Sequence, residues 1–408
     1  MRIGFYIHHS MMKAGGIYTY SIGILRLLLK AEGIKSLVII TTPEIRKNLS
    51  EFLVNPKVEV KTINRKSIFV NIRIIISIVF HDIGIVYGRF NSENRIITFL
   101  KSFSVKINPY NSLIKKSRIQ LLHVPMQYSP IYLTSVPVIT TMHDLQEFHF
   151  PENFSSEERI HRTINNHKSI YSSDRIIVSF DHIKNDILKF YNVSPTKIAV
   201  CPPPFTENWF VVKSETNFAF LREKYGLSGK FLLYPAATWK HKNHITLLET
   251  LKDILPEFEN MELVCTGNKT EYFETIQKKI SELKIANRVK FLGIVPEEDL
   301  IGLYKNCQLV VIPTIYEAGS GPLYEAMKYN APVICADTTS LPMAINHSDY
   351  VFNPTDVQQL GSLIKRMLID KTFRHQNIMN SEKRIRELSS IDYFSKFHDI
   401  YSEISNKY

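Results

Sequence analysis

Short apolar runs rich in β-branched residues alternate with segments of helical period along nearly the whole chain, and this alternation constrains the fold most. A first series of runs comprises Ile3–Ile7, Leu37–Ile40, Ile83–Tyr87, Gln120–His123, Val138–Met142 and Ile176–Ser179. A second comprises Phe231–Tyr234, Glu262–Cys265, Val289–Leu292, Leu309–Pro313, Val333–Cys335 and Tyr350–Phe352. Between them lie amphipathic segments such as Tyr18–Lys30, Ile183–Tyr191, His244–Leu255, Tyr272–Leu283 and Val357–Leu368. Apolar strands joined by helical crossovers predict parallel sheets covered on both faces. The 408 residues suffice for two or three domains, at ~150 residues each. Cys201-Pro202-Pro203-Pro204-Phe205 and the polar stretch to Thr216 can continue neither a helix nor a central strand, and mark the linker. The expected fold is α/β, with two Rossmann-like domains over 1–205 and 206–388 facing a cleft. Such sheets bind ligands at the carboxyl ends of their strands. The last segment, 389–408, carries a helical stripe of Ile391, Phe394, Phe397, Tyr401 and Ile404. It is expected to pack back toward the first domain.

Composition narrows the class. Hydrophobic residues make up 44% and charged residues 22%, which excludes disorder, collagen and coiled coil. Cys201, Cys265, Cys307 and Cys335 are widely spaced, form neither a CxxC site nor a disulfide framework, and suit a reducing compartment. The N-terminal MRIGFYIHHSMM lacks a secretory pattern. The most apolar stretch, Ile68–Phe80, contains Arg73 and is shorter than a ~20-residue span, so it reads as a buried or interfacial helix. A soluble or peripheral cytoplasmic protein is expected. Residues 1–143 hold 19 Lys and Arg against 6 Asp and Glu, a net of +13, while the rest hold 31 against 33, a net of −2. Nucleic acid, an anionic membrane surface and compositional drift toward Lys and Ile all fit such an excess.

The loop Met11-Met12-Lys13-Ala14-Gly15-Gly16 joins the first run to a helical segment. Its paired glycines let the backbone approach a ligand and turn helix N–H groups toward an anion, although a plain turn has the same composition. It is not GxGxxG, and no acidic residue stands at the ribose distance, which disfavours a dehydrogenase. In Thr141-Met142-His143-Asp144-Leu145, just past a strand end, His143 can bond a polar ligand while Asp144 fixes its tautomer or the loop. A turn-capping Asp beside a surface His reads equally well. His81-Asp82 is a second pair before the run at Ile83. No metal-ligand spacing surrounds either pair, so no metal site is expected. Trp239-Lys240-His241-Lys242-Asn243-His244 opens a helix with cations that oppose its dipole. A phosphate would offset them.

Glu317-Ala318-Gly319-Ser320-Gly321-Pro322-Leu323-Tyr324-Glu325 is the strongest motif. Ser320 or Gly321 suits a helix cap, Pro322 suits the first turn, and Asn330 suits a left-handed terminator. The helix start can then cradle a diphosphate. Eight residues of helix would hold the two carboxylates ~12 Å apart, beyond the ~5.5 Å or ~6.5–9.5 Å of a glycosidase pair. Two separate hydrogen-bond acceptor roles for sugar and ribose hydroxyls fit better.

Together these residues resemble the retaining nucleotide-sugar glycosyltransferases of the GT-B fold, family 4 (glycosyl transferases group 1). The likeness rests on Gly15-Gly16, on Thr141–Leu145 followed by Phe150-Pro151-Glu152, on Ser173–Ser179, on Lys242-Asn243 and on the E-x7-E motif of Glu317 and Glu325. The resemblance implies that Glu317 contacts the donor sugar and Glu325 binds the ribose hydroxyls. The Gly319-Ser320-Gly321-Pro322-Leu323 turn would hold sugar and diphosphate through its N–H groups, and Lys242 would neutralise the leaving diphosphate. His143 would lie against the transferred sugar, with Asp144 on the acceptor side. Gly15 and Gly16 would approach the donor, and Gly267 and Gly293–Val295 would border the base. Where the family often has an Arg before the phosphate lysine, this chain reads Ala236-Ala237-Thr238, and Thr238 or Lys240 would substitute. The family's Ser-Leu-Pro-Glu stands here as Ser340-Leu341-Pro342-Met343.

The implied reaction moves a hexose from a nucleoside-diphosphate sugar, GDP-mannose-like or UDP-linked, to a glycan or polyprenyl-diphosphate-linked acceptor in surface polysaccharide assembly. No cofactor, no metal and no nucleic-acid partner are expected. Domain closure would exclude water. An epimerase of the same fold and a non-catalytic sugar-nucleotide-binding protein are the alternatives.

Overall fold

The computed structural model describes residues 1–7, 16–31, 33–88, 95–131, 134–204 and 216–405. It divides into two compact units. One comprises Met1–Pro204 with Asp392–Tyr408, and the other comprises Phe205–Ile391.

The first unit is built on seven strands: β1 (Arg2–Tyr6), β2 (Ser36–Thr41), β3 (Val58–Thr62), β4 (Leu121–Val124), β5 (Val138–Met142), β6 (Arg175–Val178) and β7 (Ile198–Val200). Their order is β3-β2-β1-β4-β5-β6-β7, and every neighbouring pair is parallel. Central strands such as β2, with Leu37, Val38, Ile39 and Ile40 all fully buried, are apolar on both faces because helices cover both. The strand order reverses between β1 and β4, which opens a crevice at their carboxyl ends.

Three segments of this unit differ from the sequence reading. Ile83–Tyr87, expected as a strand, lies inside a 21-residue helix, Ile68–Gly88. Strand propensity is largely a packing preference. Here Ile74, Ser77 and His81 are buried at helical spacing, and that stripe carries the segment on as helix. The strand beside β2 is instead Val58–Thr62, whose alternating Val58, Glu59, Val60 and Lys61 suit a half-covered edge. The other edge, Ile198–Val200, is only three residues long and gives little signal.

The closing helix, Tyr393–Ser405, belongs to this first unit, as its apolar stripe predicts. It buries Tyr393, Phe397, Ile400, Tyr401 and Ile404. The Tyr401 hydroxyl hydrogen-bonds His123 Nδ1 at 2.7 Å, and His123 Nε2 meets Thr141 Oγ1 at 2.9 Å. Burial pushes the His123 ring down to about 3, so it is a neutral bridge between β4, β5 and the closing helix. Glu403 pairs with Arg175 at the start of β6.

The second unit holds six strands: β8 (Lys230–Pro235), β9 (Met261–Thr266), β10 (Val289–Phe291), β11 (Leu309–Ile312), β12 (Val333–Ala336) and β13 (Val351–Phe352). They coincide with the second series of apolar runs. Their order is β10-β9-β8-β11-β12-β13, all parallel, and the reversal falls between β8 and β11. No described helix is long and apolar enough to cross a membrane.

Candidate active site

In the second unit the two loops at the reversal point carry the residues singled out by sequence. After β8 the chain runs through Ala236–Trp239 and a short turn, Lys240–Lys242, into the helix His244–Ile254. After β11 it runs through Pro313–Ser320 into the helix Gly321–Lys328. Asn243 has a left-handed backbone (φ 57°) and donates its amide to the carbonyls of Pro313 (2.9 Å) and Pro354 (2.8 Å). The β8 loop is thereby tied to the end of β11. Thr314 Oγ1 and the Ile315 N–H both reach the His241 carbonyl, at 3.0 and 2.9 Å.

These ties bring Lys242 and Glu317 together. Their Nζ and Oε2 are 2.6 Å apart, and the side chains are only 18% and 13% exposed. The negative group expected opposite this basic turn is therefore present inside the protein. His244 adds no charge, because burial lowers its ring to about 3 among Tyr234 and Phe291. The Tyr234 hydroxyl holds the Lys242 carbonyl at 2.7 Å. The Glu317 backbone is clamped by Thr339, whose Oγ1 accepts from the Glu317 N–H (3.1 Å) and donates to its carbonyl (2.5 Å). Ser340 Oγ reaches the same carbonyl at 3.3 Å. The Ser-Leu-Pro segment thus positions the acidic loop.

The helix at Gly321 starts as the sequence predicts. Ser320 is the N-cap, its Oγ accepting from the Leu323 N–H at 3.3 Å, and Pro322 occupies the first turn. Asn330 follows in the left-handed region (φ 55°). Glu325 projects back toward the helix start, as helical side chains do, and its Oε2 accepts from the Tyr304 hydroxyl at 2.7 Å. Burial raises the Glu325 carboxyl above its usual range, and the Tyr304 bond works against that rise.

Two other nominated residues position the loops. Thr238 is buried, its N–H bonds the Asn268 carbonyl at 2.9 Å, and its Oγ1 accepts from the Thr270 N–H at 2.7 Å. Its hydroxyl therefore holds two loops together, where the sequence reading gave it a phosphate contact. Gly267 has φ 111°, and a Cβ there would lie 2.7–2.9 Å from the Ala236 and Ala237 backbone. Gly267→Ala is accordingly expected to cost about 2–4 kcal/mol, through a strained φ and overpacking. Calorimetric melting of the variant checks this.

In the first unit, His143 follows β5. Its Nε2 lies 3.0 Å from the Pro125 carbonyl, which only accepts, so Nε2 carries the proton and Nδ1 is the ring's acceptor. Burial lowers the His143 pKa, and the ring packs edge-on against Tyr20 at 5.0 Å. Gln127 Oε1 accepts from the backbone N–H of both His143 (2.8 Å) and Asp144 (3.2 Å). Asp144 pairs with Arg162, so of its two expected roles it takes the loop and leaves the tautomer to Pro125. Gly16 opens the helix Gly16–Leu29 after β1, while Gly15 lies outside the described residues. His81 and Asp82 lie in the Ile68–Gly88 helix, where Asp82 also pairs with Lys168. Gln127, Arg162, Tyr304 and Thr339 were not singled out by sequence. Each acts across 15 or more residues of chain, and no local motif marks them. Among the described residues no cluster of three or more His, Cys, Asp or Glu is placed to hold a metal.

Two all-parallel sheets of this build define the GT-B architecture. Anabaena Alr3699/HepE, solved in complex with UDP and glucose, superposes with a TM-score of 0.68 at 16% identity over 100% of both chains. WaaG, a glycosyltransferase involved in lipopolysaccharide biosynthesis, gives 0.60 at 13% identity over 98% of this chain and 99% of its own. Residues 217–384 match the family model described as Glycosyl transferases group 1. The O-antigen chain mannosyltransferase B of Escherichia coli is 25% identical over 70% of this chain and 76% of its own. The O-antigen chain mannosyltransferase RfbU of Salmonella typhimurium is 27% identical over 56% of this chain and 60% of its own. The chain has the GT-B fold of these glycosyltransferases, and residues 217–384 of its second unit match the group 1 model.

Proposed function

We propose that the protein is a retaining, metal-independent hexosyltransferase of family 4. It would move a sugar from a nucleoside diphosphate to a glycan or polyprenyl-diphosphate-linked glycan in surface polysaccharide assembly. GDP-mannose is the first candidate donor, supported by the mannosyltransferase relatives. A UDP-sugar is the second, supported by the UDP-bound structural neighbour. The observation that carries the reading is the Lys242–Glu317 pair beside the Ser320-capped helix start.

Glycosyl transfer builds positive charge at the anomeric carbon and negative charge on the departing phosphate. Lys242 and the N–H groups at the helix start meet the second charge where it develops. Glu317, freed from Lys242 by the incoming phosphate, takes a donor sugar hydroxyl. Glu325, oriented by Tyr304, takes the ribose hydroxyls. Neutral His143 offers Nδ1 to the transferred sugar. The leaving phosphate itself accepts the acceptor's proton, and no side chain is nominated as general base.

A thermal-shift comparison of GDP and UDP tests the donor class. A ligand at a hundred times its Kd adds ~2.7 kcal/mol of stability. Transfer from the favoured donor to a lipid-linked glycan, with the product anomer read by NMR, tests the rest. Conversion of the donor with no acceptor would favour the epimerase alternative. Glu325→Ala is expected to remove hydrogen bonds to a charged acceptor worth about 1.5–3 kcal/mol. That weakens the nucleoside diphosphate roughly ten- to hundredfold, as titration calorimetry would read it.

A further inference from the structure

The Ile68–Gly88 helix has its polarity reversed. Its inward stripe is Ile74, Ser77 and His81. Ser77 and Ser104 each donate a hydroxyl to the other's carbonyl, at 3.1 and 2.8 Å, and the Asn108 amide donates to Ser77 Oγ at 3.2 Å. Its outward stripe is Ile68, Ile72, Ile75 and Val79, spaced by four, three and four residues and 46–72% exposed. Phe69 flanks this stripe at 80% exposed. On the neighbouring helix, Arg95–Ile107, Ile96 and Phe99 are 64% and 63% exposed. Phe99 stacks on Phe103 at 6.0 Å, and Phe103 meets Phe80 edge-on at 5.0 Å, so the two helices share one apolar face. A water-facing surface this apolar marks a site of interaction.

Charge identifies the occupant. Residues 63–119 hold ten Lys and Arg against two Asp and Glu, a net of +8. Most of the basic excess in the first third therefore lies in and beside this helix pair. Lys101 and Lys106 are exposed on the second helix. Arg73 donates Nε to the Ile107 carbonyl at 3.0 Å, bridging the two helices. Arg65 and Lys66 line a recess of about 480 Å³ at the start of the stripe, with Ile75 on its wall and Glu44 paired to Lys66. A second copy of this chain would set like charge against like charge. A bilayer with acidic lipids supplies hydrocarbon for the stripe and anions for its rim. No described helix can span, so the face would lie along the interface.

We propose that the Ile68–Gly88 and Arg95–Ile107 helices form a docking surface for an anionic lipid bilayer. The inference is independent of the donor and acceptor, and its test needs no turnover. The full chain is floated with vesicles of phosphatidylcholine alone or with about 30% phosphatidylglycerol, at low and high salt. Binding at least about tenfold tighter to the acidic vesicles, weakened by salt, is expected. Ile72→Ser/Ile75→Ser, both at exposed positions, should cut that binding at least about tenfold with an unchanged melting curve. Lys101→Gln/Lys106→Gln should flatten the salt dependence. No binding to acidic vesicles overturns the proposal, as does full retention of it in the Ile72→Ser/Ile75→Ser variant. A dimer seen by ultracentrifugation and split by that variant would assign the face to a second copy instead.

Discussion

Lys242→Ala is expected to lower kcat and kcat/KM together by about 10²–10³-fold, the usual loss when one preorganised donor to a developing oxyanion is removed. The amine is held 2.6 Å from Glu317 in a largely shielded position, so it needs little reordering when the phosphate departs. The same substitution leaves the Glu317 carboxylate without its partner, at a cost of about 1–3 kcal/mol. Activity and stability must therefore be separated. The double variant Lys242→Met/Glu317→Gln removes both charges, and it should recover most of the melting temperature while remaining inactive. Near-wild-type turnover in Lys242→Ala, with donor saturating, would refute the role given to this lysine.

Ending the chain at Ile391 is expected to unfold the first unit and spare the second. The lost helix buries Tyr393, Phe397, Ile400, Tyr401 and Ile404. Fully burying one such side chain stabilises by about 1.5–3 kcal/mol, so five together rival the ~5–15 kcal/mol of a whole domain. His123 would also lose its Tyr401 bond in a site where its ring is fully buried. Calorimetry should then show one transition, still raised by the favoured nucleoside diphosphate. Two unaltered transitions would mean that the helix adds little to the first core. Tyr401→Phe, which keeps the ring and deletes only the hydrogen bond, should cost about 1 kcal/mol.

What was legible in the sequence follows from how local each signal is. The inner strands of the second unit, β9, β8, β11 and β12, are buried on both faces and read as largely apolar runs, and its short edges β10 and β13 also stand out as apolar runs. Ser320, Pro322 and Asn330 announce a helix start and stop because capping chemistry acts within four residues. The two edge strands of the first unit gave no such signal. Val58–Thr62 alternates with charge, and Ile198–Val200 is too short to show a period. Ile83–Tyr87 has the β-branched composition of a strand, and the buried stripe that makes it helix starts nine residues earlier, at Ile74. Within the site, Lys242 and Glu317 were nominated separately. Their pairing depends on Asn243 joining Pro313 and Pro354, a contact across 70 and 111 residues of chain. The tie of Thr238 to the 268–270 loop spans about 30 residues of chain, so no local motif marks it.

The closing helix also bears on synthesis. The first 204 residues emerge from the ribosome well before the last strip of their own core, with 187 residues of the second unit, Phe205–Ile391, made in between. At ~5–20 residues per second that wait lasts about 10–40 s. Throughout it the residues that will cover Phe397 and Tyr401, His123 among them, lack that helix. The second unit, encoded without interruption, can finish folding first, although it is translated later. The first unit therefore cannot complete its core until the closing helix has been made.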